Sequence, residues 1–144
     1  MEFIYNDGGR AAAGYKGNAG DCVVRAICIA TGMPYQQVYD DLLAIANKSR
    51  VKSARRPPNR GVDKCVYHNY IIGLGATWVP TMFVGSGCNV HLEKDELPSG
   101  RIICNVSKHL TAVINGVIHD TNSPYRAKRC VYGYYVFPLK NIDL

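Results

Sequence analysis

Apolar positions follow a helical spacing in the first half of the chain and turn into alternating or continuous β-branched runs after Gly75. Residues 3–5 read as a short strand. The stretch 8–17 is glycine-rich, permits unusual backbone angles close to a ligand, and is a candidate lip of a site. Apolar residues at 23, 24, 26, 27 and 30 predict a helix from Cys22 to Thr31, with Asp21 as N-cap and Gly32 just past its end. Being apolar nearly all round, that helix belongs in the centre of the fold. Pro34 suits the first position of a second helix, with Val38, Leu42 and Ile45 on its buried stripe and Asp40 and Asp41 facing away. Residues 48–61 have no apolar period and contain Pro57-Pro58, so they predict a loop; 62–73 predict a third helix with Val66, Tyr70 and Gly73 on one face.

Beyond Gly75, residues 77–84 predict a strand that Pro80 confines to an edge, followed by strands at 101–106, 110–114, 117–120 and 130–137. Helices precede strands. That order predicts an α+β fold, N-terminal helices packed on a C-terminal antiparallel β-sheet, as a single domain over 1–144.

Composition narrows the picture only a little. Hydrophobic content of 47% with 19% charged residues is ordinary for a globular chain. No apolar run approaches the roughly 18 residues of a membrane span, so no membrane partner is expected. The first residues lack a basic stretch followed by an apolar core, so the expected location is the cytoplasm. Six cysteines stand at 22, 28, 65, 88, 104 and 130, several of them in apolar runs, and are expected as reduced thiols. The net charge of +6 is uneven: Lys48, Arg50, Lys52, Arg55, Arg56 and Arg60 crowd residues 48–60. This basic loop is a candidate contact for an acidic partner. With no aromatic side chain between the charges, it is a poor nucleic-acid binder.

The chemistry rests on a register argument. Asn115-Gly116 between Ile114 and Val117 is a strong signal for a two-residue hairpin turn. Residue 111 then faces 120 and 109 faces 122, so His109, Asp120 and Asn122 point to one face. Cys22 opens the first predicted helix, where the positive end of the helix dipole favours thiolate. If the helical layer presents Cys22 to that face, the chain holds a nucleophile (Cys22), a base (His109) and an orienter (Asp120, with Asn122 as the second candidate) for acyl transfer. The oxyanion donors would be the backbone N–H of Cys22 and the side-chain amide of Asn18. Cys28, Cys104 and Cys130 read as core thiols, and His119 faces away from Asp120. A competing set, Cys65 and His68 with Cys88 and His91, has matched Cys-x-x-His spacing that a zinc ion would use. Both pairs lie in stretches read as regular structure, and neither metal nor other cofactor is expected.

The stretches Gly20-Asp21-Cys22-Val23-Val24-Arg25-Ala26 and Ser107-Lys108-His109-Leu110-Thr111, the hairpin through Asp120-Thr121, and Cys130-Val131-Tyr132-Gly133-Tyr134-Tyr135 carry a resemblance. Cysteine on the first helix, histidine at the start of a central strand and an acid a hairpin later resemble the papain-like cysteine peptidase superfamily. More narrowly, most of the chain is similar to a group of small phage and prophage proteins, which implies the host cell cytoplasm as location. The resemblance implies a papain-like fold and a thiol hydrolase acting on a protein or peptide, with Cys22 as nucleophile, His109 as base and Asp120 as orienter. Papain-like enzymes usually carry a glutamine six residues before the cysteine as oxyanion donor. Position 16 here is Lys16, which leaves Asn18 or Lys16 itself as the second donor. An acyltransferase or deamidase would use the same three residues. Outside catalysis, a binding protein using the basic loop, or a zinc-stabilised module, are the alternatives.

Overall fold

The computed structural model of the protein describes residues 1–17 and 19–138. Three α-helices form among the described residues: α1 (Cys22–Thr31), α2 (Tyr35–Asn47) and α3 (Lys64–Gly73). Helix α1 is buried along most of its length, as its apolar circumference requires, and ends where Gly32 turns left-handed (φ 77°) and its N–H bonds the Cys28 carbonyl. Pro34 lies one residue earlier than predicted, in extended backbone just outside α2. The buried stripe of α2 is Tyr35, Val38, Leu42 and Ala46, with Ile45 at its exposed margin. In α3 the buried residues are Val66, Tyr67 and Ile71. Tyr70, expected in the stripe, packs half-buried against this core and donates its hydroxyl to Asp41 of α2 at 2.7 Å.

The strands are β1 (Phe3–Tyr5), β2 (Thr77–Pro80), β3 (Val90–His91), β4 (Arg101–Val106), β5 (His109–Ile114), β6 (Val117–Asp120), β7 (Cys130–Val131) and β8 (Gly133–Val136). Six of them form one sheet in the order β1-β6-β5-β4-β8-β2. Its pairs are antiparallel except β1 with β6, so the sheet is mixed, a correction to the antiparallel sheet expected. The reason is connectivity: the chain leaves β1 and traverses the helices before returning, and so long a connection permits a parallel pair. Pro80 ends β2 on the sheet edge, where a missing N–H is harmless.

The predicted strand 130–137 is broken at Tyr132. Residues 130–131 leave the main sheet to pair with β3, Val131 with Val90 and Cys130 with His91, while β8 joins β4 and β2. That break brings Cys130 to Cys88, and the two form a disulfide. The expectation of six reduced thiols, with Cys130 a core residue, is therefore corrected; Cys22, Cys28, Cys65 and Cys104 are free.

Side chains alternate across the sheet and divide the core in two. Ile103, Leu110 and Tyr135 pack under the three helices. Ile102, Cys104, Val106, Val113 and Ile118 face the other way, beneath Leu92, Leu97 and Val131. The Asn115-Gly116 turn has both residues at positive φ, 49° and 80°, and pairs Ile114 with Val117 as the sequence predicts.

Candidate active site

Cys22 is the first residue of α1 and His109 the first residue of β5, so both open their elements and meet at the end of the sheet. By strand alternation His109, Thr111 and Asp120 belong to the side-chain row of Val113 and Ile118, which faces away from the helices. Cys22 and Arg25 of α1 nevertheless reach this row, at His109 and Asp120 respectively. The Cys22 thiol and His109 ring are hydrogen-bonded, and the Leu110 backbone N–H also donates to the sulfur. His109 Nε2 donates to Asp120 Oδ2 at 2.7 Å, leaving Nδ1 for the sulfur.

Asp120 is held from several sides. Thr111 Oγ1 donates to Oδ2 at 2.8 Å, Thr121 N–H to Oδ1 at 2.7 Å, and Arg25 Nη2 lies 3.6 Å from Oδ1. Arg25 is itself buried, and its Nη1 bonds the Asp21 carboxylate one turn earlier on α1. Asp21, fully buried, also takes Arg10 Nη1 at 3.0 Å and the Tyr35 hydroxyl. Alternating charges thus run Arg10, Asp21, Arg25, Asp120, His109 and end at the sulfur. Asp21 stands at the predicted N-cap position, its carbonyl accepting from Arg25 N–H at 3.0 Å, but its side chain, held by the arginines, makes no cap bond.

The titration behaviour follows from this chain. Burial alone would push the Cys22 thiol up, but the hydrogen bonds from His109 and Leu110 and the nearby His109 and Arg25 charges outweigh it, so its pKa falls below the ordinary thiol value. Burial acts to lower the His109 pKa, yet the bonds to Asp120 and Cys22 carry it up to about 9. Burial would raise the Asp120 pKa, but His109, Thr111 and the Thr121 N–H together hold it below the usual carboxylate range. These directions favour a thiolate–imidazolium pair, a nucleophile with its proton already on the base.

A cleft of about 300 Å³ opens beside Cys22 and His109, walled by Tyr67, Asn105, Arg56, Lys64 and Lys108. The basic loop reaches its mouth because Gly20 N–H donates to Asn59 O at 2.9 Å. Asn122, the second candidate orienter, is exposed and lines a separate depression beyond His109, whose hydrogen bond goes to Asp120. Asn18 lies outside the described residues. The glycine-rich stretch 8–17, expected as a lip, does not border this cleft. Arg10 ties it to the carbonyls of Lys16 and Gly17, and Gly8 (φ 68°) sits where a Cβ would come 3.0 Å from the Arg25 carbonyl.

The Cys-x-x-His pairs do not converge. Cys88 is spent in the disulfide, His68 Nδ1 meets the Tyr135 hydroxyl at 2.7 Å, and His91 Nδ1 meets Glu96 at 3.1 Å. Among the described residues no three side chains of metal-ligating type cluster together. Cys65, His68, Cys88 and His91 thus form no ligand cluster among the described residues. His119 contacts Asn6 at 3.4 Å, away from the cleft. Sequence reasoning passed over Arg10, Arg25, Tyr35 and Thr111; the available signal was Asp21 and Arg25, opposite charges one turn apart on a helix otherwise apolar. Among the described residues, no helix is long and apolar enough to cross a membrane. No family model, curated protein or solved structure matches the chain.

Proposed function

We propose that the protein is a papain-like thiol hydrolase that cleaves a peptide, isopeptide or amide bond through a thioester on Cys22. The observation that carries this reading is the unbroken contact from the Cys22 sulfur through His109 to Asp120 at the edge of an open cleft. His109 takes the Sγ proton, and the thiolate attacks the substrate carbonyl carbon. The tetrahedral oxyanion is met by the Cys22 backbone N–H at the start of α1, with the Asn18 amide as the second donor. Collapse breaks the C–N bond while His109 returns its proton to the departing amine. Water, deprotonated by His109, then attacks the thioester; the C–S bond breaks, the acid leaves and the proton returns to the thiolate.

Asp120 orients the imidazole with Nδ1 toward the sulfur and stabilises its charged form. An acyltransferase or deamidase would share the first half of this sequence and differ only in the acceptor or in the amide attacked.

The test is a peptide library incubated with the protein and read by mass spectrometry, beside site-resolved labelling with iodoacetamide at pH 6.5. Cleavage products that together gain one water, lost in Cys22→Ala, are expected, with Cys22 labelled well ahead of exposed Cys65. Labelling of Cys22 no faster than Cys65, with products unaffected by Cys22→Ala, overturns the reading.

A further inference from the structure

Three cations wall the cleft at Cys22, yet the proposed chemistry uses none of them: Arg56, Lys64 and Lys108. Arg56 is already engaged, its Nε on the Gly61 carbonyl at 3.1 Å, its Nη1 on the Ser53 carbonyl at 2.6 Å and its Nη2 on Asp63. It also neutralises Asp63, an acidic side chain of the cleft wall. Two ammonium groups remain. Lys64 opens α3, exposed, with Nζ 5.1 Å from the Trp78 ring centroid, a contact that steadies the side chain without removing its charge. Lys108 is the second residue of the two-residue turn joining β4 to β5, immediately before His109, at φ 57°.

Left-handed backbone favours glycine or asparagine, and a lysine there is strained by roughly 1 kcal/mol or more. The turn places Lys108 in the cleft wall, directly before His109 in the chain. Behind both lysines, the basic segment 48–60 is drawn to the cleft mouth by the Gly20 to Asn59 hydrogen bond.

We propose that this cleft selects an acidic peptide segment, seating a substrate carboxylate between Lys64 and Lys108 next to the bond presented to Cys22. The inference rests on the thiol hydrolase reading and names its substrate class. A carboxylate side chain suits two separate ammonium points. A phosphodiester backbone would draw on a free guanidinium fork and stacking aromatics; the cleft's arginine is committed to Asp63, and segment 48–60 holds no aromatic residue.

Two alkylating probes of similar size, one anionic and one neutral, read the field at the sulfur without a known substrate. The ratio of Cys22 labelling rates, iodoacetate over iodoacetamide, is measured at low salt and pH 6.5 by peptide mapping. The Lys64→Gln/Lys108→Gln double variant is expected to lower that ratio by roughly threefold to fivefold, an effect that 0.5 M salt (about a 4 Å screening length) largely removes. Lys94→Gln, whose side chain packs on Gly116 at the far end of the β5–β6 hairpin, leaves the ratio unchanged. Oligoglutamate slows Cys22 labelling of the wild type and not of the double variant, whereas oligolysine does neither.

An unchanged ratio in the double variant overturns the proposal, as does protection by an RNA or DNA oligonucleotide without protection by oligoglutamate. Failure of the hydrolase reading looks different: Cys22 then reacts with both reagents no faster than Cys65, and the inference falls with it.

Discussion

The first and last turns of α1 each bear a thiol, and the two have opposite chemistry. Cys28 is buried, and burial together with the Asp21 charge pushes its pKa up to about 12. Burial pushes on Cys22 in the same direction, yet its pKa is lowered, because His109 and the Leu110 N–H reach its sulfur. The helix is shared, and burial pushes both thiols upward. What differs is what stands opposite: apolar neighbours at one end, and at the other a hydrogen-bonded imidazole backed by alternating charge.

The strongest way to break this comparison is to remove the thiol that faces His109. Cys22→Ala is expected to lower turnover by roughly 10⁴-fold or more, since the remaining groups have no nucleophile to activate. Its unfolding midpoint should stay close to that of the wild type, as Cys22 is only half-buried. Full turnover in this variant, measured on any peptide the wild type cleaves, removes the mechanism.

Next in size is the charge chain behind the site. Arg25 sits between Asp21 and Asp120 with its side chain about nine-tenths buried. Arg25→Met strands both carboxylates in a poorly solvated place and should cost about 3–5 kcal/mol of stability by urea denaturation. A loss below about 1 kcal/mol, the range of exposed pairs, would show the network to be a surface feature.

Asp120→Asn sharpens the comparison from the base side. The amide oxygen still accepts from His109 Nε2, but the charge that holds the imidazolium is gone, so turnover falls by roughly 10²–10⁴-fold, the range of an impaired general base. The pH profile carries the finer readout. His109, raised to about 9, keeps its proton for the leaving amine up to that pH, so turnover should decline above about 9. Cys22, lowered, stays thiolate below the ordinary thiol range, so the active window extends downward until the thiol regains its proton. Without the Asp120 charge, His109 loses its proton at lower pH, and the alkaline limb should move down. A limb unmoved by Asp120→Asn would mean that Asp120 does not set the charge state of His109.

Much of this arrangement was legible in the sequence because short-range rules govern it. The Asn115-Gly116 turn sets the hairpin register, and the register places His109 diagonal to Asp120. The position of Cys22 follows from the apolar run that begins beside it. The parallel β1–β6 pair and the Cys88 to Cys130 disulfide depend instead on where distant segments pack, and the break at Tyr132 leaves no periodicity signal in a run that is apolar or aromatic throughout. The charge chain was half legible. Asp21 and Arg25 are one turn apart, but Arg10, Tyr35 and Asp120 join them only through tertiary contact. An acid before a helix predicts a side-chain cap; a buried arginine on the same helix is the stronger claimant for the Asp21 carboxylate.

The smallest effect tests the inert end. Cys28→Ala removes one sulfur atom from a packed position and should destabilise the protein by about 1 kcal/mol, the scale of a small core truncation. Turnover and the iodoacetamide rate at Cys22 should stay within about twofold of wild type, because six residues, about 9 Å of helix, separate the two thiols. A larger loss of reactivity would mean that the placement of α1, tuned by its core packing, governs Cys22 as strongly as the His109 contact does. The contrast between the two turns would then be one of helix position, and the imidazole would cease to be its cause.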